Sequence, residues 1–310
     1  MPPLSPPLKI LFVAGCIRSG STLLGRLLDQ VADVFDMGEF HHLWKYGFEP
    51  GNLCSCGREF CDCPVWNDVF PEPDAVNIKK VRKLRSQAFR PWRKPAIVRP
   101  FFNTSEHRQA LDKYATLIGD LLDRIRNTTG AGILVDSSKN PLQARLLSHI
   151  EGVELHVVHL VRDSRAVAFS HSRTRKLPQA SGQGIYQKRL GWWGSSSLWR
   201  NENTDAERLV PLAKSYNLLK YEDLVSAPRQ TIARVIEPLG LGPDAVDFID
   251  ADGLAQLESG HCPCGNPMRM KSGEMQIRLD DEWQDALPSL TKRLVTLATA
   301  GRLKRYGYIG

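Results

Sequence analysis

The sequence predicts an α/β fold in which a P-loop-type parallel sheet is flanked by helices on both faces. Three observations predict it. Four short, nearly continuous apolar runs occur at Lys9–Ala14, Gly132–Val135, His156–Val161 and Asn217–Lys220. Amphipathic helical stretches separate them, and the first three runs each end in a polar cluster. Strands covered on both faces read as unbroken apolar runs, strands alternating with helices imply parallel crossovers, and ligands of such sheets sit at the carboxyl ends of the strands.

The elements follow in order. Lys9–Ala14 stops at Gly15, and Thr22–Val31 then places Leu23, Leu24, Leu27, Leu28 and Val31 at helical spacing. Residues 45–73, rich in Cys, Gly and Pro, read as irregular. Ala75–Ser105 holds nine Lys or Arg and no Asp or Glu; it reads as weakly helical, broken by Pro91, Pro95 and Pro100. Glu106–Arg126 is an amphipathic helix with Leu111, Tyr114, Leu117, Ile118, Leu121, Leu122 and Ile125 on one side. The second strand runs into Asp136-Ser137-Ser138-Lys139-Asn140-Pro141, the third into Arg162-Asp163-Ser164-Arg165, and the fourth into Tyr221-Glu222-Asp223-Leu224. The remainder reads as helical, apart from a loop around His261–Gly273. With no internal repeat or long linker, residues 1–310 are expected to form a single domain carrying a Cys-rich, basic, helical insertion over about 45–130.

Composition is that of an ordinary folded chain, 42% hydrophobic and 24% charged, with a formal net charge of +7. Such a charge suits an anionic partner without saying which. No run approaches the roughly 20 apolar residues of a membrane span, and the Pro-rich start lacks a positive n-region. A cytoplasmic protein is therefore expected. A nucleic-acid binder would show basic stripes interleaved with aromatics, and none is present.

The first strand–loop–helix unit carries the chemistry. Gly15-Cys16-Ile17-Arg18-Ser19-Gly20-Ser21-Thr22 fits the frame G-x-x-x-x-G-x-[ST], and a loop of this kind aims backbone N–H groups and a helix N-terminus at one oxyanion. Ser21 stands where a P-loop NTPase has the lysine that reaches the β/γ-phosphates. That argues against nucleoside-triphosphate hydrolysis and its Mg²⁺ requirement, while Arg18 supplies a cation inside the loop. A P-loop-type kinase or nucleotide-binding protein lacking the Walker lysine is the alternative reading.

Here the chain resembles the sulfotransferase superfamily, in particular its bacterial branch related to carbohydrate and tyrosylprotein sulfotransferases. Arg18-Ser19-Gly20-Ser21-Thr22-Leu23-Leu24 is similar to that family's 5′-phosphosulfate loop, and His159–Ala168 with Ser170 to its 3′-phosphate motif. Gly38-Glu39, Cys54-Ser55-Cys56-Gly57 with Cys61–Trp66, Asp136–Lys139, Tyr221–Leu224 and Gly265-Asn266-Pro267 with Arg269 also match segments of that branch, in order. The resemblance implies transfer of a sulfuryl group from 3′-phosphoadenosine 5′-phosphosulfate to an acceptor hydroxyl, without a metal. The acceptor would be a small molecule, glycan or lipid, and an anionic surface is a further candidate contact.

It also implies roles. Arg18, Ser19, Gly20, Ser21 and Thr22 would hold the 5′ end of the donor, and Arg162 with Ser170 the 3′-phosphate, for which an arginine fork is well suited. A structural Arg162–Asp163 ion pair is the competing reading. Arg269, with Lys271, would close over the nucleotide. Lys139, in Lys139-Asn140-Pro141, joins Arg18 as a cation for the charge that develops in transfer. Glu39 falls where the tyrosylprotein branch places its catalytic carboxylate and is the preferred general base; His41 and His42 are its rivals.

Seven cysteines include the local pairs Cys54/Cys56, Cys61/Cys63 and Cys262/Cys264. Cys54, Cys56, Cys61 and Cys63 offer four thiolates for structural zinc. Their C-x-C spacing is tighter than the common C-x₂-C, so a compact loop with free thiols or a local disulfide is the preferred reading, and no metal ligand is assigned. Trp192, Trp193 and Trp199, near Tyr186, either line an acceptor pocket or belong to the core.

Overall fold

The computed structural model describes residues 4, 6–93, 104–174, 176–177, 185–186 and 189–310. Strand β1 (Leu8–Ala14) leads into helix α1 (Ser21–Leu28) and the short strand β2 (Val34–Asp36). Helices α2 (Pro64–Val69), α3 (Ile78–Phe89) and α4 (Ser105–Thr129) follow before β3 (Ile133–Asp136), α5 (Pro141–Leu147), β4 (Val153–Val161) and α6 (Ser164–Ser172). After the small hairpin of β5 (Lys176–Leu177) and β6 (Ile185–Tyr186) come α7 (Trp192–Glu207), β7 (Ser215–Lys220), α8 (Tyr221–Ser226) and α9 (Pro228–Ile236). The chain ends with the hairpin of β8 (Leu254–Leu257) and β9 (Gly273–Gln276), then α10 (Trp283–Ala286) and α11 (Ser289–Arg305).

The main sheet has five parallel strands in the order β2-β3-β1-β4-β7. In β1, Leu8, Ile10, Phe12 and Ala14 face one apolar cluster with α4 and α5, while Leu11 and Val13 face a second with α1 and α9. This two-sided burial is why the strand reads as one apolar run. Phe12 pairs with Asp136, and Ala14 with His159, so the carboxyl ends of β1, β3 and β4 lie side by side. The chain leaves β1 toward β2 and later returns past it to β4, which makes the end of β1 a topological switch point.

Local sequence sets the boundaries. Thr104 caps α4 by accepting from the His107 N–H at 3.2 Å, and Gly130 ends it in the left-handed region at φ 71°. Asn140 caps α5, with Pro141 at its first position.

The structure departs from the sequence reading in four places. The remainder after β7 is not wholly helical around its loop: β8 and β9 pair antiparallel on either side of it. β2 is a strand of three residues, too short to show a period. The stretch 45–73 is not wholly irregular: it contains α2, whose Trp66 is fully buried. Ile78–Phe89 forms a single helix capped by Asn77, because the expected breaks all fall after it; residues 94–103 of that basic stretch lie outside the described residues. Helices α2, α3 and α4 bury their apolar sides in the same cluster as β1. Among the described residues, no helix is long and apolar enough to cross a membrane.

Candidate active site

The loop after β1 passes against β4 so closely that a Cβ on Gly15 would lie 2.2 Å from the Leu160 carbonyl oxygen, and Gly15 takes φ +122°. Only glycine lets the chain turn there. The Ile17 N–H is held by Glu202 Oε2 of α7 at 2.9 Å, a brace that the sequence did not announce. The turn ends at Gly20, left-handed at φ 94°, and α1 starts at Ser21. The N-terminus of α1 opens on a cavity of about 770 Å³ whose wall includes Arg18, Gly20, Ser21 and Thr22. Helix N-termini favour anions through their unpaired N–H groups and dipole.

Lys139, at the end of β3, crosses to this loop. Its ammonium donates to Ser21 Oγ at 3.0 Å, Glu39 Oε1 at 3.0 Å and the Ser137 carbonyl at 2.7 Å. Lys139 adopts φ 58° and Arg18 φ 74°. A left-handed conformation costs a non-glycine residue about 1–2 kcal/mol, and strain of this kind collects at functional sites.

Glu39 follows Gly38, whose φ is +62° and where a Cβ would meet Cys262 Sγ at 2.1 Å. The Glu39 N–H donates to the Cys264 carbonyl at 3.2 Å, which ties this turn to the late loop. Burial works against ionisation of Glu39, but the charge and hydrogen bond of Lys139, with His42 and His41, outweigh it and leave the carboxyl below its usual range. His42 Nε2 lies 3.7 Å from Glu39 Oε2. Burial, with the other histidine's charge, pushes His41 down to about 3, and burial also lowers His42, so both rings are neutral near pH 7.

Beside the loop after β1, Arg162 from the end of β4 packs its guanidinium over the Tyr221 ring, 4.3 Å from the centroid. It donates to the Asp280 carbonyl at 2.8 Å and lies 3.0 Å from the Asp280 carboxylate. Its Nε is buried without a partner among the described residues. The Arg162–Asp163 pair is not formed: Asp163 caps α6 and pairs with Arg165 instead. Ser170, two turns along α6, lines the same cavity.

Arg18, Gly20, Ser21, Thr22, Glu39, Lys139, Arg162, Ser170 and Arg269 thus share one cavity wall. Ser19 is buried beside it, with its hydroxyl unpartnered among the described residues. Arg269 reaches the wall, but it donates to the Gly265 and Leu53 carbonyls, each at 2.8 Å, and so clamps two loops together. Lys271 is exposed and lies off the wall. Tyr221 and Asp280 also line the cavity; Asp280 gave no signal, since an Asp-Asp-Glu run reads as a solvated surface. Trp199 belongs to the core, donating to the Arg162 carbonyl at 2.9 Å, and Trp192 and Trp193 are exposed away from the cavity. The Tyr186 side chain lies outside the described residues.

The cysteine reading needs correction in its membership. Cys54, Cys56 and Cys63 come together with His261, not with Cys61; their ligand atoms all lie within 4.8 Å of one another. His261 arrives from about 200 residues away in sequence, which is why spacing could not reveal it. The cysteines are free thiols.

The sequence profile described as Sulfotransferase family matches residues 11–244, a span that takes in the first loop, Glu39, Lys139, Arg162 and Ser170. The chain belongs to the sulfotransferase family. No curated protein sequence matches it. Among solved structures, it is similar to a sulfotransferase domain from the Synechococcus PCC 7002 olefin synthase, with 18% identity, 96% of this chain and 97% of that chain covered, and a TM-score of 0.49. A sulfotransferase domain from the curacin biosynthetic pathway is similar at 17% identity, with 94% and 98% covered and a TM-score of 0.42. In this sulfotransferase, Arg269, Asp280 and His261 lie beyond the matched span.

Proposed function

We propose that this sulfotransferase moves the sulfuryl group of 3′-phosphoadenosine 5′-phosphosulfate to an acceptor hydroxyl on a small molecule, glycan or lipid. One observation carries the reading: a single cavity gathers the α1 N-terminus, Arg18, Lys139, Glu39, Arg162 and Ser170. The donor, when bound, supplies a sulfuryl group already activated by a phosphate leaving group. The unpartnered Ser19 hydroxyl and Arg162 Nε are polar groups that an anionic nucleotide would satisfy.

Arg18 and the α1 amides hold the 5′ end, and Arg162 with Ser170 holds the 3′-phosphate. Lys139, already bridging Ser21 and Glu39, stands between donor and base, where it stabilises charge growing on the leaving oxygen. Glu39 takes the acceptor's proton as the hydroxyl attacks in line. Its lowered pKa keeps it ionised at neutral pH, and its ion pair with Lys139 holds one carboxylate oxygen in place.

The test is direct. The chain should be retained on a 3′,5′-bisphosphate resin in the absence of Mg²⁺ and should transfer label from sulfur-labelled donor to an acceptor in a lysate. Arg18→Ala should abolish transfer. Glu39→Ala should lower kcat by about 10²–10⁴-fold while donor binding persists. Normal turnover by the Glu39 variant removes it as base; failure of retention together with Mg²⁺-dependent ATP turnover supports the kinase reading.

A further inference from the structure

We propose that Cys54, Cys56, Cys63 and His261 form a structural zinc site that staples the Cys-rich loop to the late loop beside the cavity. In tetrahedral coordination at a Zn–S distance of 2.3 Å, sulfur atoms stand about 3.8 Å apart. Four ligand atoms within 4.8 Å of one another need little adjustment to reach that figure. The donor set, three thiols and an imidazole, is one of the usual closed structural zinc sets, with no position left for a water or substrate.

The backbone arranges the four before any ion arrives. The Cys54 N–H donates to the Arg58 carbonyl and the Gly57 N–H to the Cys54 carbonyl, both at 2.9 Å, closing a turn that carries Cys54 and Cys56. Cys63 sits at the entrance of α2 and places its sulfur 3.2 Å from His261 Nδ1. His261 is fixed through its carbonyl, which accepts from Trp66 Nε1 at 2.6 Å. Ser55 binds the neighbouring residue twice, donating its N–H to the Cys262 carbonyl at 3.0 Å and accepting the Cys262 N–H at 2.8 Å. Cys54 and Cys63 are fully buried, while Cys61, in the same loop, stands outside the set.

Zinc here ties segment 54–63 to segment 261–264, whose Cys264 carbonyl accepts the Glu39 N–H. Binding replaces thiol protons with metal bonds: each coordinating cysteine releases its proton to solvent as its Zn–S bond forms, and no oxidant or reductant takes part.

The experiment uses the full chain purified under reducing conditions with zinc supplied. Plasma mass spectrometry should find one zinc per chain. Exchange with cobalt(II) should give a thiolate-to-metal charge-transfer band and tetrahedral d–d absorption. Cys61→Ser should keep both signals, and His261→Cys should keep the metal with a shifted spectrum. Cys56→Ser and His261→Ala should lose zinc to a chelator concentration that leaves the parent chain loaded. If those two fail to fold, the parent chain, Cys61→Ser and His261→Cys still decide the matter. A folded parent chain that takes up no zinc or cobalt overturns the proposal. So does a Cys54–Cys63 disulfide in the intact mass, or metal retention that depends on Cys61.

Discussion

Replacing Lys139 by methionine tests the centre of the site. Its ammonium lies 3.0 Å from Glu39 Oε1, with its side chain 6% and that of Glu39 26% exposed. At an effective dielectric of 20, two unit charges at that distance interact by about 5.5 kcal/mol, equivalent to about 4 pKa units at 1.36 kcal/mol each. Solvent at the cavity mouth screens part of this, and a close opposite charge ordinarily shifts a carboxylate by about 1–3 units. In the parent chain, Glu39 is held below its usual value, so a rate that needs it ionised persists as pH falls until that depressed pKa is crossed. In Lys139→Met, burial opposes ionisation with only the histidines to offset it, so the acid limb should move up by about 1–3 units. Initial rates with labelled donor across pH, together with titration of the ¹³C-labelled carboxyl of Glu39 by NMR, measure the shift. Identical Glu39 titrations in parent and variant would refute the pairing. An acid limb abolished by His42→Ala but indifferent to Glu39 would transfer the role of base to His42.

Three further outcomes follow from the geometry. The Asp280 carboxylate occupies Arg162, so Asp280→Asn, which keeps the backbone acceptor, should tighten 3′,5′-bisphosphate binding by about 1.5–5-fold at low salt, since solvent at the exposed carboxylate screens the pair to about 0.2–1 kcal/mol. Calorimetry decides, and weaker binding would mean that Asp280 holds Arg162 in place. Gly38→Ala puts a Cβ 2.1 Å from Cys262 Sγ and 2.5 Å from the Cys264 carbonyl oxygen at φ +62°. It should destabilise the fold by about 1–3 kcal/mol or more, and melting like that of the parent chain contradicts this. Burial pushes Asp136 up to about 7 from 3.8, so between those pH values the folded chain binds more protons than the unfolded one and stability falls as pH rises. Asp136→Asn should flatten that slope, by on the order of 1–3 kcal/mol between pH 5 and pH 8 in urea unfolding; equal slopes would sink it.

The α/β class and the strand ends were legible in the sequence because two-sided burial keeps Leu8–Ala14 and Val153–Val161 largely apolar, with Lys9, Glu154, His156 and His159 as their polar members, and because a dense polar cluster follows each of them. Arg18, Lys139 and Arg162 could each be singled out for the same cause: a loop that turns at the end of a buried strand shows its charge at once. β2 was invisible because three residues cannot display a period. Tertiary structure alone decided the partnerships. It joined Lys139 to both Ser21 and Glu39, set Asp280 on Arg162, and committed Arg269 to the Gly265 and Leu53 carbonyls. It also exchanged Cys61 for His261 in the thiol cluster. Apart from the local Arg269–Gly265 bond, these contacts span about 100 to 220 positions. Residue type and local spacing tell what a side chain can bond, and only the packing of strands and loops tells which group it meets.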